Sequence, residues 1–203
     1  SFNASTDEKT LLEALKDSRL GLTTVVDANA KAYAGELVTF QGITTLDALK
    51  TRVDVVNSLV TVLGSSDVTV VKNELTKVAL KDNLTNYVNL KDAQKADVAE
   101  LVIADIAEAK KASEVVNVAG LKGYVNTNIT NQSNLVEAVN NAATITATVT
   151  ALEAVSPEFK ALDAVSKVTV AEKFNNNRPT NKDGVVIPFA NFTEIRNLVS
   201  TVK

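Results

Sequence analysis

Leu46-Asp47-Ala48-Leu49-Lys50-Thr51-Arg52-Val53-Asp54-Val55-Val56-Asn57-Ser58-Leu59-Val60-Thr61-Val62-Leu63 is the stretch whose reading decides the fold. Leu46, Leu49, Val53, Val56, Val60 and Leu63 recur at alternating intervals of three and four. That spacing puts them on one face of an α-helix, with Val53, Val56, Val60 and Leu63 expected to be buried. Val68, Val71, Leu75 and Val78 form a second stripe, and Val98, Val102, Ile106 and Ala109 a third. Asp97, Glu100, Asp105 and Glu108 fall on other faces of the third helix, where solvent is expected.

One segment reads both ways. Ala143-Thr144-Ile145-Thr146-Ala147-Thr148-Val149-Thr150 alternates as a strand does and is rich in β-branched residues. Ala138, Ala142, Ile145, Val149 and Leu152 keep helical spacing over a longer window, so the longer period decides for helix. Expected helix starts are Thr6 before Asp7 and Glu8, Thr44 or Thr45 before Leu46, Asp67 before Val68, and Ser133 before Leu135. Pro188 suits the first turn of a final helix through Phe192, Ile195 and Val199. Breaks are expected at Gly21, Gly42, Gly64-Ser65-Ser66, Gly120, Gly123, Pro157 and across Asn175–Gly184. The last is dense in Asn, Pro and Gly, the signature of a surface loop.

The chain contains no His, Cys, Met or Trp. It therefore lacks the commonest acid–base group, the soft metal ligands, the thiol nucleophile and the largest aromatic anchor. Aromatic residues make up only 4%, so the core is expected to be mostly aliphatic. Lys and Arg are scattered through a chain of net charge −3, which disfavours nucleic acid as a partner. No apolar run approaches the roughly 20 residues of a membrane span. The polar start Ser1–Lys9 does not read as a signal peptide, and the lack of Met implies a processed chain or an excised fragment. Little remains that oxidises, which suits long exposure outside the cell.

Three stretches align weakly: Lys31–Leu37, Lys95–Leu101 and Lys167–Phe174, with Ala34, Ala99 and Ala171 in register. Each follows an amphipathic helix (near 6–17, 67–80 and 133–154) and precedes another apolar run. The expected organisation is three units of three helices, at 1–66, 67–131 and 132–203. Unit one begins Phe2-Asn3-Ala4-Ser5-Thr6 and continues to Leu20-Gly21-Leu22. Unit three runs from Phe159 through Val170-Ala171-Glu172 to Asn177-Arg178-Pro179, Asp183-Gly184 and the segment Phe189 to Val199. In this order the motifs resemble the helical repeats of large surface-layer and related cell-wall proteins of Gram-positive, spore-forming bacteria. Those repeats join an Asn-x-Ala-Thr/Ser helix start and a Leu-Gly-Leu turn to a Val-Ala helix and an Arg-Pro…Gly loop. The resemblance covers most of the chain in diluted form: only unit one keeps Leu20-Gly21-Leu22, and only unit three keeps Arg178-Pro179. It implies an extracellular structural protein with no catalytic residues. The motif that anchors such proteins to wall polymer is not visible.

Residues of types able to carry chemistry have plainer readings. Ser18 with Lys16, and Ser166 with Lys167, are the available Ser–Lys pairs, without a His base. Asp97/Glu100 and Asp105/Glu108 would act on a glycosidic bond only within a cleft. Asn177, Asn181 and Asp183 offer oxygen ligands for calcium, but not at EF-hand spacing and without a closing Glu, so a structural turn ranks first. Five glycosylation sequons, at Asn3, Asn83, Asn128, Asn131 and Asn191, permit the modification without arguing for it. Tyr33, Tyr87 and Tyr124 are the only tyrosines on which a sugar would stack.

The expectation is an all-α protein, a helical bundle or array, and not an enzyme. Its expected role is a self-assembling segment of an extracellular surface layer or filament, with copies of itself or neighbouring domains as partners. The alternative is an adhesin or polysaccharide-binding helical module of the cell surface.

Overall fold

The structure, a computed structural model, describes residues 8–36, 42–77, 80 and 84–203. Thr6, Leu37, Val78, the sequons Asn3 and Asn83 and the start Phe2–Thr6 lie outside the described residues. Among the described residues all regular structure is helical, apart from one antiparallel bridge between Thr180 and Val186. None of these helices is long and apolar enough to cross a membrane.

The helices are α1 (Glu8–Leu15), α2 (Ala30–Gly35), α3 (Leu46–Gly64), α4 (Val68–Leu75), α5 (Thr85–Val88), α6 (Asp92–Lys111), α7 (Val118–Asn140), α8 (Ile145–Val155), α9 (Pro157–Lys160), α10 (Ala164–Asn176) and α11 (Phe192–Val202). Two compact units divide the chain: Ser1–Asn89 with Ala99–Asn126, and Leu90–Val98 with Thr127–Lys203. The division at 66 and 131 follows a sequence repeat, and compactness of contacts does not bear on a repeat.

In the first unit α1, α2 and α3 close on Leu11, Leu15, Tyr33, Leu49, Val53 and Val56. Thr45 caps α3 by accepting from Ala48 N, and Asp67 caps α4 by accepting from Thr69 N and Val70 N. Both satisfy first-turn donors that a helix leaves open. The buried side of α3 departs from the expected stripe. Leu46 is exposed and Val60 and Leu63 are half-buried, while Val55, Leu59 and Val62 are buried. Val55, Leu59 and Val62 lie on a second face of the helix, and α3 buries both because it packs against α4 as well as α2.

The second unit packs α8 against α9, α10 and α11, and α10 against α11. Phe159, Phe174, Phe189 and Phe192 are buried in it beside Leu152, Val155, Ile195 and Val199. The buried core of the described residues is mostly aliphatic, as the composition requires, and most of the chain's phenylalanines are concentrated in this one unit.

The Thr-rich segment is helical, as its longer period requires, but the expected helix near 133–154 is broken. α7 ends at Asn140, and Thr144 starts α8 with an extended backbone and a bond from Ala147 N. Within α8, the hydroxyls of Thr148 and Thr150 donate to the carbonyls of Thr144 and Thr146. This i−4 bonding lets threonine sit in a helix with its hydroxyl satisfied. Other expected boundaries also move. Gly120 and Gly123 lie inside α7, and Ser133 is mid-helix. Buried Leu121, Val125, Val136 and Val139 outweigh the roughly 1 kcal/mol cost of a helical glycine. Pro188 precedes the last helix, whose cap is Asn191, accepting from Glu194 N.

Candidate functional site

The loop after α10 was the sequence's least regular segment, and the structure makes it a small hairpin. Asn181 N donates to Val185 O at 2.8 Å, Gly184 N to Asn181 O at 3.0 Å and Ile187 N to Pro179 O at 2.7 Å. Gly184 takes the left-handed conformation, φ 78°, that closes the turn. The side-chain oxygen of Asn181 accepts from Asp183 N and Val185 N, both at 2.9 Å. The Asn177 amide nitrogen donates to Lys173 O, at the end of α10. Two of the three calcium candidates are thus engaged with backbone: Asn181 points its oxygen at two N–H donors and Asn177 finishes a helix, while Asp183 gives its N–H to the turn.

Arg178 anchors the hairpin. Its guanidinium donates to the carbonyls of Asn140, at 3.0 Å, and Val139, which end α7. It lies 5.8 Å from the ring centre of Phe174 and 5.7 Å from that of Phe189. The two rings are 5.5 Å apart. Burial pulls the guanidinium below its ordinary pKa, yet arginine remains charged at any physiological pH. Beyond the hairpin, the Asn140 amide clamps Phe189, accepting from its N and donating to its O, both at 2.9 Å.

Two grooves flank this segment. One, of about 420 Å³, is lined by amides and carboxylate, including Gln94, Gln132, Glu137, Asn140 and Asn141. The other, of about 430 Å³, is more apolar, with Pro179, Ile187, Pro188 and Leu198. The hairpin's second arm is uncovered: Val185 is 61% exposed, Val186 47% and Ile187 46%. Val165 and Val168 of α10 are also exposed.

The remaining candidates do not converge. Lys16 pairs with Asp27 at 2.8 Å and Lys167 with Glu153 at 2.7 Å. Ser166 donates to Asp163, the cap of α10, at 2.6 Å. Neither Ser–Lys pair is assembled. Asp97 corrects the solvated-face reading: it is 3% exposed and accepts from Gln132 Nε2 at 3.0 Å and from Phe192 N at 2.8 Å. It holds the start of α11, which the spacing of α6 alone does not reveal. Glu108 stays exposed and pairs with Lys111. Tyr33 and Tyr87 are fully buried and Tyr124 is half-buried, so no tyrosine platform is presented to a sugar. Of the described sequons, Asn128 and Asn191 are buried and Asn131 is exposed. Among the described residues no group of three or more acidic side chains is placed to hold a metal. The chain matches no protein-family profile, no curated protein and no solved structure.

Proposed function

We propose that this chain is a structural segment of an extracellular surface assembly, a layer or filament built by packing against copies of itself or neighbouring domains of a larger surface protein. The observation that carries the reading is the uncovered Val185-Val186-Ile187 arm. Three consecutive β-branched residues are held in the open by a hairpin that Arg178 fixes to a helix end. A rigid apolar edge of this kind is costly in isolation and useful at a contact. The lack of Cys and Met, and the resemblance to surface-layer repeats, support the location. The second reading, a polysaccharide-binding module, has the amide-lined groove in its favour. Its Asn140 is spent on Phe189 and its Gln132 on Asp97, which leaves it weaker.

Negative-stain microscopy and light scattering of the purified chain, with and without calcium, test the assembly reading. Ordered sheets or filaments, or concentration-dependent association, are expected. Val186→Lys should reduce them without lowering the melting temperature. A monodisperse monomer under all conditions overturns the proposal.

A further inference from the structure

In the first unit, α3 and α4 pack together and leave a groove of about 350 Å³ between them and the loop at Thr24. Its lining is oxygen-rich. Asp54, Ser58 and Thr61 stand at helical intervals on one side of α3, with Asn57 beside them and Glu74 of α4, Lys77 and Thr24 completing it. Two of these residues carry oxygens that are buried and have no hydrogen-bond partner: Glu74 Oε2 and Thr24 Oγ1. Glu74 is 8% exposed, so its carboxylate has little solvent to compensate it. The other oxygen, Oε1, takes the ammonium of Lys77. Two carboxylates against one ammonium leave the groove one negative charge in excess.

An unpartnered buried charged oxygen is among the more expensive defects a fold carries, and a bound group that supplies the missing donor removes the cost. Here the missing donor must serve a carboxylate and a hydroxyl, beside a second carboxylate. We propose that this groove binds a primary ammonium group, whose three N–H donors go to Glu74 Oε2, Thr24 Oγ1 and the Asp54 carboxylate. Two carboxylates are a sparse set for a divalent metal, which favours more oxygen ligands and charge. The Glu74–Lys77 pair already shows this carboxylate accepting an ammonium. The ammonium comes either from a free amine or from a lysine side chain of a partner.

Amide-resolved NMR titration of the full chain tests this. The probes are n-butylammonium chloride and Nα-acetyl-lysine amide, with tetramethylammonium, sodium and calcium chlorides at matched ionic strength. Saturable shifts clustered at Thr24, Ser58 and Glu74 are expected with the first two probes only. Tighter binding of the lysine probe assigns the site to a presented lysine; equal or weaker binding assigns it to a free amine. Glu74→Gln should weaken binding about tenfold, the worth of one charge-assisted hydrogen bond. Asp54→Asn, at a less buried position, should weaken it in the same direction and serves if Glu74→Gln does not fold. Absence of saturable shifts with either amine in the folded wild type overturns the proposal. So does an equal response to tetramethylammonium, which has no N–H to donate, or a response to calcium alone.

Discussion

Two arginines do at residue scale what the helices they touch do not do for themselves. Neither α7 nor α8 has a basic residue in its last turn. Their terminal carbonyls and negative dipole ends still need donors. Arg178 supplies them to α7, and Arg196 donates to Val155 O of α8 at 2.6 Å while lying 5.4 Å from the Phe192 ring centre. A guanidinium suits both tasks, since its planar fork reaches two carbonyls and its face stacks on rings. Arg178→Ala should therefore cost about 1–3 kcal/mol, through carbonyls and rings left uncovered. Arg178→Lys should recover only part, because a compact ammonium lacks the planar guanidinium face that lies against the Phe174 and Phe189 rings. Urea unfolding followed by circular dichroism measures both. A second residue-scale prediction concerns charge. Asp17 caps a short 3-10 turn and is chelated by the guanidinium of Arg19, which holds its carboxyl down at about 2. The folded pKa lies below the unfolded one, so the pair stabilises above the ordinary carboxylate range of about 4. That contribution fades as pH falls through about 2. Side-chain NMR titration should find the Asp17 midpoint there, and Arg19→Gln should return it toward the ordinary range.

Helices show where the sequence is readable and where it is not. The starts of α3 and α4 are legible, since Thr45 and Asp67 cap them where the pattern places them, although the buried side of α3 is not the one its stripe marks. α7 is different. Its glycines argue for breaks, and only tertiary burial of Leu121, Val125, Val136 and Val139 keeps the helix continuous. Gly123 is a test of that balance. A Cβ added there meets nothing within 4 Å, and the backbone is helical. Gly123→Ala should raise stability by about 0.5–1 kcal/mol, by removing the unfolded chain's extra freedom. A melting temperature that falls would mean that the glycine serves a contact. The end of α7 was hidden for the opposite reason. Ala138, Ala142, Ile145, Val149 and Leu152 continue a helical period across it. What stops the helix is Arg178 taking the carbonyls of Val139 and Asn140, together with the Thr144 cap. The first comes from a residue 38 positions away, beyond any local window. Asp97 was misread likewise, since its partners Gln132 and Phe192 are remote in sequence. The loop after α10, by contrast, is legible because its turn residues act on their own backbone, although Asn175 and Asn176, expected in it, still belong to the helix.

For the whole molecule, the open matter is which stretch of chain is a folding unit. The repeat marks 1–66 as the first, whereas contacts join 1–89 to 99–126. Within that unit the carboxylate of Glu36 is buried and accepts from Val118 N at 2.7 Å, at the start of α7. Lys110 donates to the Leu63 carbonyl. α3 packs on α4, whose Val71 and Leu75 are fully buried. Cutting at 66 removes each of these. It deletes α4, which costs about 1.5–3 kcal/mol for each large apolar side chain no longer buried. It also takes from Glu36 its bond to Val118, worth about 1–3 kcal/mol if the carboxylate stays buried. Against a net stability of about 5–15 kcal/mol for a domain, such losses decide folding. Fragment 1–126 keeps every one of these contacts. It should show strong helical circular dichroism and a cooperative thermal transition, and fragment 1–66 neither. Cooperative melting of 1–66 close to the temperature of the longer fragment would make the sequence repeat the physical unit of this chain.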